Sequence, residues 1–338
     1  MPKPKHILVI RLSAMGDVAM IVPVLRALTQ QNPELKITVL IKKEFTVFFR
    51  DFENLNLFEA DVKGKHKGVI GPYKLARELN KENRFCCIAD LHNVLRSKIL
   101  RNFIKSKLVI SIDKGRSEKK ALVSGRFFQQ LKTTHQRYAE VFDKLGYQVD
   151  LSNPSFPEKV KLDTNLEKYI NADKKTIGIA PFAAHEGKMY PLNLMEEVIK
   201  KLDNEYHILL FGGGQEEVRK LDLIEGKYQN VINVAGKLSL GEELDIISNL
   251  DLMLSMDSGN GHIAAMLGVK VVTLWGVTHP YAGFMPFNHS IDTCLLADKS
   301  KFSKIPTSVY GNKYPKGYEL AMTTILPETI IEKIKSSI

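Results

Sequence analysis

Four segments of the chain hold side chains whose types and spacing could do chemistry. The segment Leu254-Ser-Met-Asp257-Ser258-Gly259-Asn260-Gly261-His262 passes from an apolar run through small residues into a helical pattern. Glycines at such a turn let a diphosphate approach backbone N–H groups, and the helix N-terminus adds partial positive charge. Ser258 can offer a hydroxyl and His262 a ring N–H; the same residues also read as a plain turn capped by Asp257 or Ser258. Lys188, in Ile179-Ala-Pro181-Phe-Ala-Ala-His-Glu-Gly-Lys188-Met-Tyr190-Pro191, sits where an ammonium could meet the charge of a departing phosphate. On spacing alone, the commoner case for such a residue is a solvated surface lysine. In Phe211-Gly-Gly-Gly-Gln-Glu216-Glu217, a carboxylate just past a strand end can accept from both hydroxyls of a ribose, or it can complement a helix dipole. In Arg11-Leu-Ser13-Ala-Met-Gly16-Asp17, Asp17 can take a proton from a hydroxyl as a general base, or cap the following helix. A basic stretch over residues 96–120, with Arg96, Lys98 and Arg101 at its head, suits phosphate groups on a ligand and also suits a solvated face.

The elements that must position these residues alternate along the chain. His6–Arg11, Ile37–Ile41, Phe85–Ala89 and Leu108–Ser111 read as strands, with helical patterns between them such as Val18–Leu28. The second half repeats the scheme. Thr176–Ala180, His207–Phe211, Val231–Asn233, Leu252–Ser255 and Val271–Trp275 read as strands, and Leu194–Leu202, Glu216–Leu223 and Gly261–Leu267 as helices. Uninterrupted apolar strands alternating with helices predict parallel sheets covered on both faces. The expected fold class is therefore α/β, with two Rossmann-like domains over 1–160 and 161–326 facing across a cleft. A C-terminal helix over 327–338, with Ile330, Ile331, Ile334 and Ile338 at helical spacing, is expected to pack back on the first domain. Ligands should lie at the carboxyl ends of the strands.

Composition narrows the partners. The chain has 338 residues, 44% hydrophobic and 25% charged, an ordinary globular balance for two domains. Its net charge of +10 is unevenly spread: residues 1–160 carry 29 Lys+Arg against 16 Asp+Glu, and residues 161–338 carry 19 against 22. The basic half is expected to face a polyanion or an anionic membrane surface, although charge kept only for solubility explains it too. No run approaches the ~20 apolar residues of a membrane span, and the N-terminal residues lack a secretory cleavage pattern. Three cysteines, two of them adjacent, make neither a disulfide framework nor a zinc site, so a cytoplasmic setting is expected. There is no G-x-G-x-x-G after the first strand, no G-x-x-x-x-G-K-[ST], no D-x-D and no H-E-x-x-H. Nicotinamide, flavin and P-loop chemistry are disfavoured, and neither a metal nor a cofactor is expected.

Taken together and in this order, the segments resemble the ADP-heptose:lipopolysaccharide heptosyltransferases, glycosyltransferase family nine, from Ile7 to about Pro286. Arg11-x-Ser13-x-x-Gly16-Asp17 followed by Pro23 is similar to the family's opening motif. Asp257-Ser258-Gly259-x-x-His262-x-Ala264-Ala265-x-x-Gly268, then Trp275-Gly276-x-Thr278-x-Pro280, is similar to its donor diphosphate signature. The resemblance implies a GT-B fold and an inverting, metal-independent transfer of a sugar, here heptose from an ADP-linked donor, onto a phosphorylated lipopolysaccharide core or lipid A acceptor. It implies Asp17 as base, Lys188 on the donor phosphates, Glu216 or Glu217 on the ribose, and Asp257, Ser258, Gly259, Asn260 and His262 around the diphosphate. Arg11, Ser13, Arg96, Lys98 and Arg101 would face the acceptor. The expected partners are thus a nucleotide-sugar, the anionic acceptor and the inner-membrane surface on its cytoplasmic side, where the protein would sit peripherally, with no nucleic acid. The chain departs from the family at Pro181-Phe182-Ala183-Ala184, at Tyr190 where tryptophan is usual, and at Val269-Lys270. Two other readings are a nucleotide-sugar epimerase of the same architecture, and a non-enzymatic binder of anionic lipid or nucleic acid.

Overall fold

The computed structural model describes residues 5–82 and 84–338; the first four residues, read above for a signal, lie outside them. The chain divides into two compact units. The first gathers the chain up to Lys114 together with Thr134–Ser155, and the second gathers Gly115–Thr133 with Phe156–Ile338.

The first unit opens with β1 (His6–Ile10), whose residues Ile7–Ile10 are wholly buried. Burial on both faces is why its sequence is a continuous apolar run rather than an alternating one. There follow α1 (Met15–Gln31), β2 (Lys36–Ile41), β3 (Leu55–Glu59), α2 (Gly71–Glu82), β4 (Cys87–Asp90), α3 (Leu95–Phe103) and β5 (Leu108–Ser111). The helix α4 (Arg116–Val123) belongs to the second unit, and α5 (Thr134–Lys144) returns to pack on α1. The sheet is parallel, in the order β3-β2-β1-β4-β5. Strands after β1 build to one side and those from β4 to the other, so the direction of winding reverses between β1 and β4. Leu75, Ala76 and Leu79 of α2 and Leu100 of α3 fill one side of this sheet against Leu8, Ile10 and Ile88.

The second unit holds α6 (Thr164–Glu167), β6 (Thr176–Ala180), α7 (Leu192–Leu202), β7 (His207–Leu210), α8 (Gln215–Glu225), β8 (Val231–Asn233), α9 (Leu240–Ser248), β9 (Leu252–Met256), α10 (Gly259–Met266), β10 (Lys270–Trp275), β11 (Cys294–Leu296) and α11 (Pro327–Ser337). Its parallel sheet has the order β11-β10-β9-β6-β7-β8, the doubly wound arrangement, with winding reversed between β6 and β9.

Three expectations need correcting. The units do not meet the 1–160 boundary, because residues 115–133 pack within the second. Leu122 and Leu131 join Ala282 in a small core there, and Leu131 N–H donates to the Tyr281 carbonyl at 2.9 Å. The basic stretch over 96–120 is thereby divided, and Lys119, instead of facing a phosphate, lies buried with its Nζ 3.9 Å above the Phe284 ring. Finally, α11 is an element of the second unit, burying Ile330 and Ile334 against α7. The charge asymmetry survives the new boundary: the first unit carries 23 Lys+Arg against 14 Asp+Glu, and the second 25 against 24.

Candidate active site

Within the first unit, the candidate base stands where the winding reverses. The chain leaves β1 through Arg11–Ala14, and Ala14, in extended conformation, caps α1. Asp17 is therefore the third residue of the helix and not its N-cap. Its Oδ2 accepts the Ala14 N–H at 3.1 Å and pairs with the Arg11 guanidinium, while a third of its side chain faces solvent. Arg11 is turned inward, 5% exposed, instead of toward a ligand. Its Nη1 donates to the Leu91 carbonyl at 2.7 Å, and the guanidinium carbon lies 5.9 Å from the centre of the buried Tyr138 ring on α5. Arg11 thus fixes Asp17 to the loops after both β1 and β4, its guanidinium engaged inside the unit rather than standing free toward an acceptor.

The loop after β4 is wound around one carboxylate. Asp90, wholly buried, accepts the N–H groups of His92 (3.1 Å) and Asn93 (2.7 Å) on Oδ1, and the Ser97 hydroxyl (3.0 Å) on Oδ2. Arg101 donates to the same Oδ2 at 3.2 Å and also to the Ser111 hydroxyl, so it too is held inside the unit rather than offered to an acceptor. His92, buried, shares a hydrogen bond of 3.3 Å between its Nε2 and the Ser13 hydroxyl. Burial first, and the nearby Arg11 cation second, push its pKa down to about 4, so the imidazole is neutral at neutral pH. Sequence reading missed His92; its only signal is its place just past the end of β4, beside the strand that leads to Asp17. Of the remaining candidates, Arg96 donates to the His66 carbonyl at 3.0 Å and Lys98 is exposed.

Within the second unit, the loops after β6 and β9 meet at the other reversal. Lys188 ends a short turn (Glu186–Lys188) beyond β6, and Asp257 directly follows β9. Lys188 Nζ lies 2.9 Å from Asp257 Oδ2, and the Thr278 hydroxyl donates to that oxygen at 2.9 Å. Both charged side chains are mostly buried. Gly311, at φ +76°, admits the lysine stem: a Cβ there would stand 2.5 Å from Lys188 Cγ. Ser258 is the N-cap of α10, yet its hydroxyl bonds to Ser255 (3.1 Å) instead of to the helix. The first turn, Gly259-Asn260-Gly261, thus begins without a side-chain cap, leaving the helix end to a different acceptor. His262 follows on α10 and is nearly buried.

The loop after β7 separates the two glutamates. Glu217 folds back so that its Oε2 accepts the Gly213 N–H at 2.7 Å, which sets a half-buried carboxylate over the glycine turn. Glu216 points to solvent and pairs with Arg219 one turn on, at 2.6 Å. Tyr190, where the resemblance implies tryptophan, is buried and donates its hydroxyl to the Ile325 carbonyl at 2.7 Å, so it serves the core.

The sequence profile of glycosyltransferase family 9 (heptosyltransferase) matches residues 73–312. The chain belongs to that family. This family 9 glycosyltransferase is 25% identical to the lipopolysaccharide core heptosyltransferase OpsX of Haemophilus influenzae over 98% of its own length and 96% of the relative's. Among solved structures, it is similar to a family 9 glycosyl transferase from Veillonella parvula, with a TM-score of 0.77, 20% identity and coverage of 98% and 97% of the two chains. It is also similar to the Escherichia coli heptosyltransferase WaaC with ADP, with a TM-score of 0.71, 16% identity and coverage of 98% and 100%. At these identities the structural likeness carries the fold, which is the two-sheet α/β fold expected of the family 9 enzyme. Asp17, Ser13 and His92 are gathered in one of its units, and Lys188, Asp257, the α10 N-terminus and Glu217 in the other.

Proposed function

We propose that the chain transfers a heptose from ADP-heptose onto a phosphorylated lipopolysaccharide core acceptor, inverting the anomeric carbon without a metal ion. The observation that carries this reading is the Lys188 ammonium, paired with Asp257, which the Thr278 hydroxyl in turn holds, beside a helix end that lacks its own cap. A mostly buried cation next to free helical N–H groups is complementary to the charge that a diphosphate gains as it departs. ADP as the nucleotide, and lipopolysaccharide as the acceptor, are supported by what the similar proteins are described as binding or building. Such an acceptor is lipid-linked, so the reading includes peripheral work at the cytoplasmic face of the inner membrane.

In this mechanism Asp17 accepts the proton of the acceptor hydroxyl as that oxygen bonds to the anomeric carbon. The bond from the anomeric carbon to the β-phosphate oxygen breaks on the opposite face, and its electron pair leaves on ADP. Lys188 and the N–H groups at the start of α10 hold the charge of that leaving group, and Glu217 accepts from the ribose hydroxyls. Arg11 holds the Asp17 carboxylate in place, and neutral His92 fixes the Ser13 hydroxyl beside it. Because the reading gives the cation role to Lys188, a chelator should leave the rate unchanged.

The test is a transfer assay with ADP-heptose and a lipopolysaccharide core acceptor. The parent should transfer heptose with inverted configuration and in the presence of a chelator. Asp17→Asn should keep its affinity for ADP while turnover falls by roughly 10²–10⁴-fold. Undiminished turnover in Asp17→Asn removes the base, retention of configuration removes the single displacement, and loss of activity on chelation removes the metal-free leaving-group site.

A further inference from the structure

Resting on the reading of the acceptor as lipid-linked, we propose that the outer face of α2 and α3 is a docking surface for an anionic lipid bilayer. Val69, Ile70 and Leu95 are 85%, 66% and 75% exposed. Single exposed apolar residues are common in folded proteins, but these are grouped. Val69 and Ile70 directly precede α2, and Arg96 ties that segment to the first turn of α3, where Leu95 stands, through its 3.0 Å bond to the His66 carbonyl. Farther along the same two helices, the half-exposed rings of Tyr73 and Phe103 meet edge to face with centroids 5.2 Å apart. The inner faces of both helices already supply the core through Leu75, Leu79 and Leu100, and Val69, Ile70 and Leu95 stand outside that core.

The surrounding charge selects the occupant. Neither residues 62–77 nor residues 91–112 contain an aspartate or glutamate, and Lys63, Lys67, Lys74, Arg77 and Lys98 are exposed around the apolar group. Asp61 and Glu78 border this stretch, each engaged locally: Asp61 by the Gly64 and Lys65 N–H groups, Glu78 by Lys65 and His66. The predominantly basic rim about apolar tips is complementary to anionic headgroups above an acyl boundary. The helices are 12 and 9 residues long, so the contact is interfacial and nothing spans the bilayer. Leu95 closely follows His92 on the loop after β4. Docking by this face therefore brings the headgroup region to the end of the sheet where Asp17 stands, which is where a lipid-linked acceptor has to arrive.

The experiment sediments the full-length protein with vesicles of phosphatidylcholine alone and of phosphatidylcholine with phosphatidylglycerol. The parent should pellet with the anionic vesicles only, and less so as salt is raised, because exposed charges are screened. The combined variant Val69→Ser, Ile70→Ser, Leu95→Ser should bind the anionic vesicles about tenfold more weakly or worse. Lys67→Glu with Lys74→Glu should likewise lose binding, and all five changed positions are exposed, so melting temperatures should match the parent's. Equal partitioning of the triple variant and the parent, or a parent that ignores anionic vesicles, overturns the proposal. So does a parent that dimerises through this face, shown by a mass halved in the triple variant with no vesicle binding by either. A water-soluble acceptor separates this test from the preceding one. The triple variant should transfer heptose to it as the parent does, and absence of transfer by both, with vesicle binding intact in the parent, counts against the transfer reading alone.

Discussion

Lys188 carries its counter-ion with it: its Nζ lies 2.9 Å from Oδ2 of Asp257, and both side chains are mostly buried. A buried ion pair is weak evidence of stability, yet removing one partner strands the other charge away from water. Without Lys188, the Asp257 carboxylate would keep the Thr278 hydroxyl but lose its counter-charge. The pair therefore sets the lysine's position, and its energetic sign depends on whether one member or both are removed.

Lys188→Ala should accordingly lower the unfolding free energy by about 2–4 kcal/mol, and it should weaken ADP binding as well. The double change Lys188→Met with Asp257→Asn should recover most of the stability and none of the ADP affinity. Urea denaturation and titration calorimetry on the parent, Lys188→Ala and the double variant separate the two effects. Recovery of ADP affinity in the double variant would show that the ammonium is structural only.

Arg11 offers a contrast, because its guanidinium bridges Asp17 and the Leu91 carbonyl from inside the unit. Arg11→Met should reduce turnover by roughly 10–100-fold, as a base loses its orientation. ADP affinity should stay near the parent's, since the proposed donor residues belong to the second unit. Steady-state kinetics beside calorimetry reads both quantities. A rise in the acceptor KM with kcat unchanged would return Arg11 to the acceptor-binding role that the family resemblance implies.

That difference shows where the sequence was legible. Strands such as Ile7–Ile10 and Leu252–Met256 are buried on both sides, and unbroken apolar runs announce them. β3 (Leu55–Glu59) and β11 (Cys294–Leu296) are short edge strands, half open to solvent, and no such run marks them. Chemical type was readable at Asp17, Lys188 and the Ser258–His262 turn, since loops after strand ends are where such residues gather. Partnership was not. The formal charge of Arg11 or Arg101 says nothing of the buried carbonyl or carboxylate that takes it, and Lys119 ends over an aromatic ring contributed by a residue 165 positions away. His92 was invisible because its role comes from the neighbouring of β1 and β4, which strand order creates.

Glu217 and Glu216, adjacent and alike in sequence, should behave differently. Glu217 is anchored by the Gly213 N–H beside the end of β7, whereas Glu216 pairs with Arg219 in solvent. Glu217→Gln should weaken ADP binding by about tenfold, the cost of exchanging a charged acceptor for a neutral one at the ribose. Glu216→Gln should stay within about twofold, as expected for an exposed pair one turn apart on a helix. Calorimetry with ADP and with 2′-deoxy-ADP tests the contact directly: Glu217→Gln should narrow the difference between the two nucleotides, and an unchanged difference would remove Glu217 from the ribose.

The pH dependence of stability should be set by buried histidines. His92 and His279 each have a pKa pushed down to about 4, chiefly by burial, then by Arg11 for His92 and by Lys299 for His279. Below pH 6.5 the unfolded chain protonates these imidazoles while the folded chain does not, so stability falls as pH drops from 6.5 toward 4 and levels off below it. Each histidine contributes a slope of roughly 1.4 kcal/mol per pH unit across that window. Glu243 acts in the opposite sense. Burial lifts its pKa to about 7, so its folded form binds the extra proton and its contribution is lost as pH rises from 4.5 through 7. The two histidines outweigh the single carboxyl, and urea midpoints should rise between pH 5 and 6.5. His92→Gln and His279→Gln should each flatten that rise, whereas Glu243→Gln should steepen it. A slope indifferent to all three substitutions would mean that neither imidazole is held neutral by its surroundings, and the view of His92 as an uncharged partner for Ser13 would fall with it.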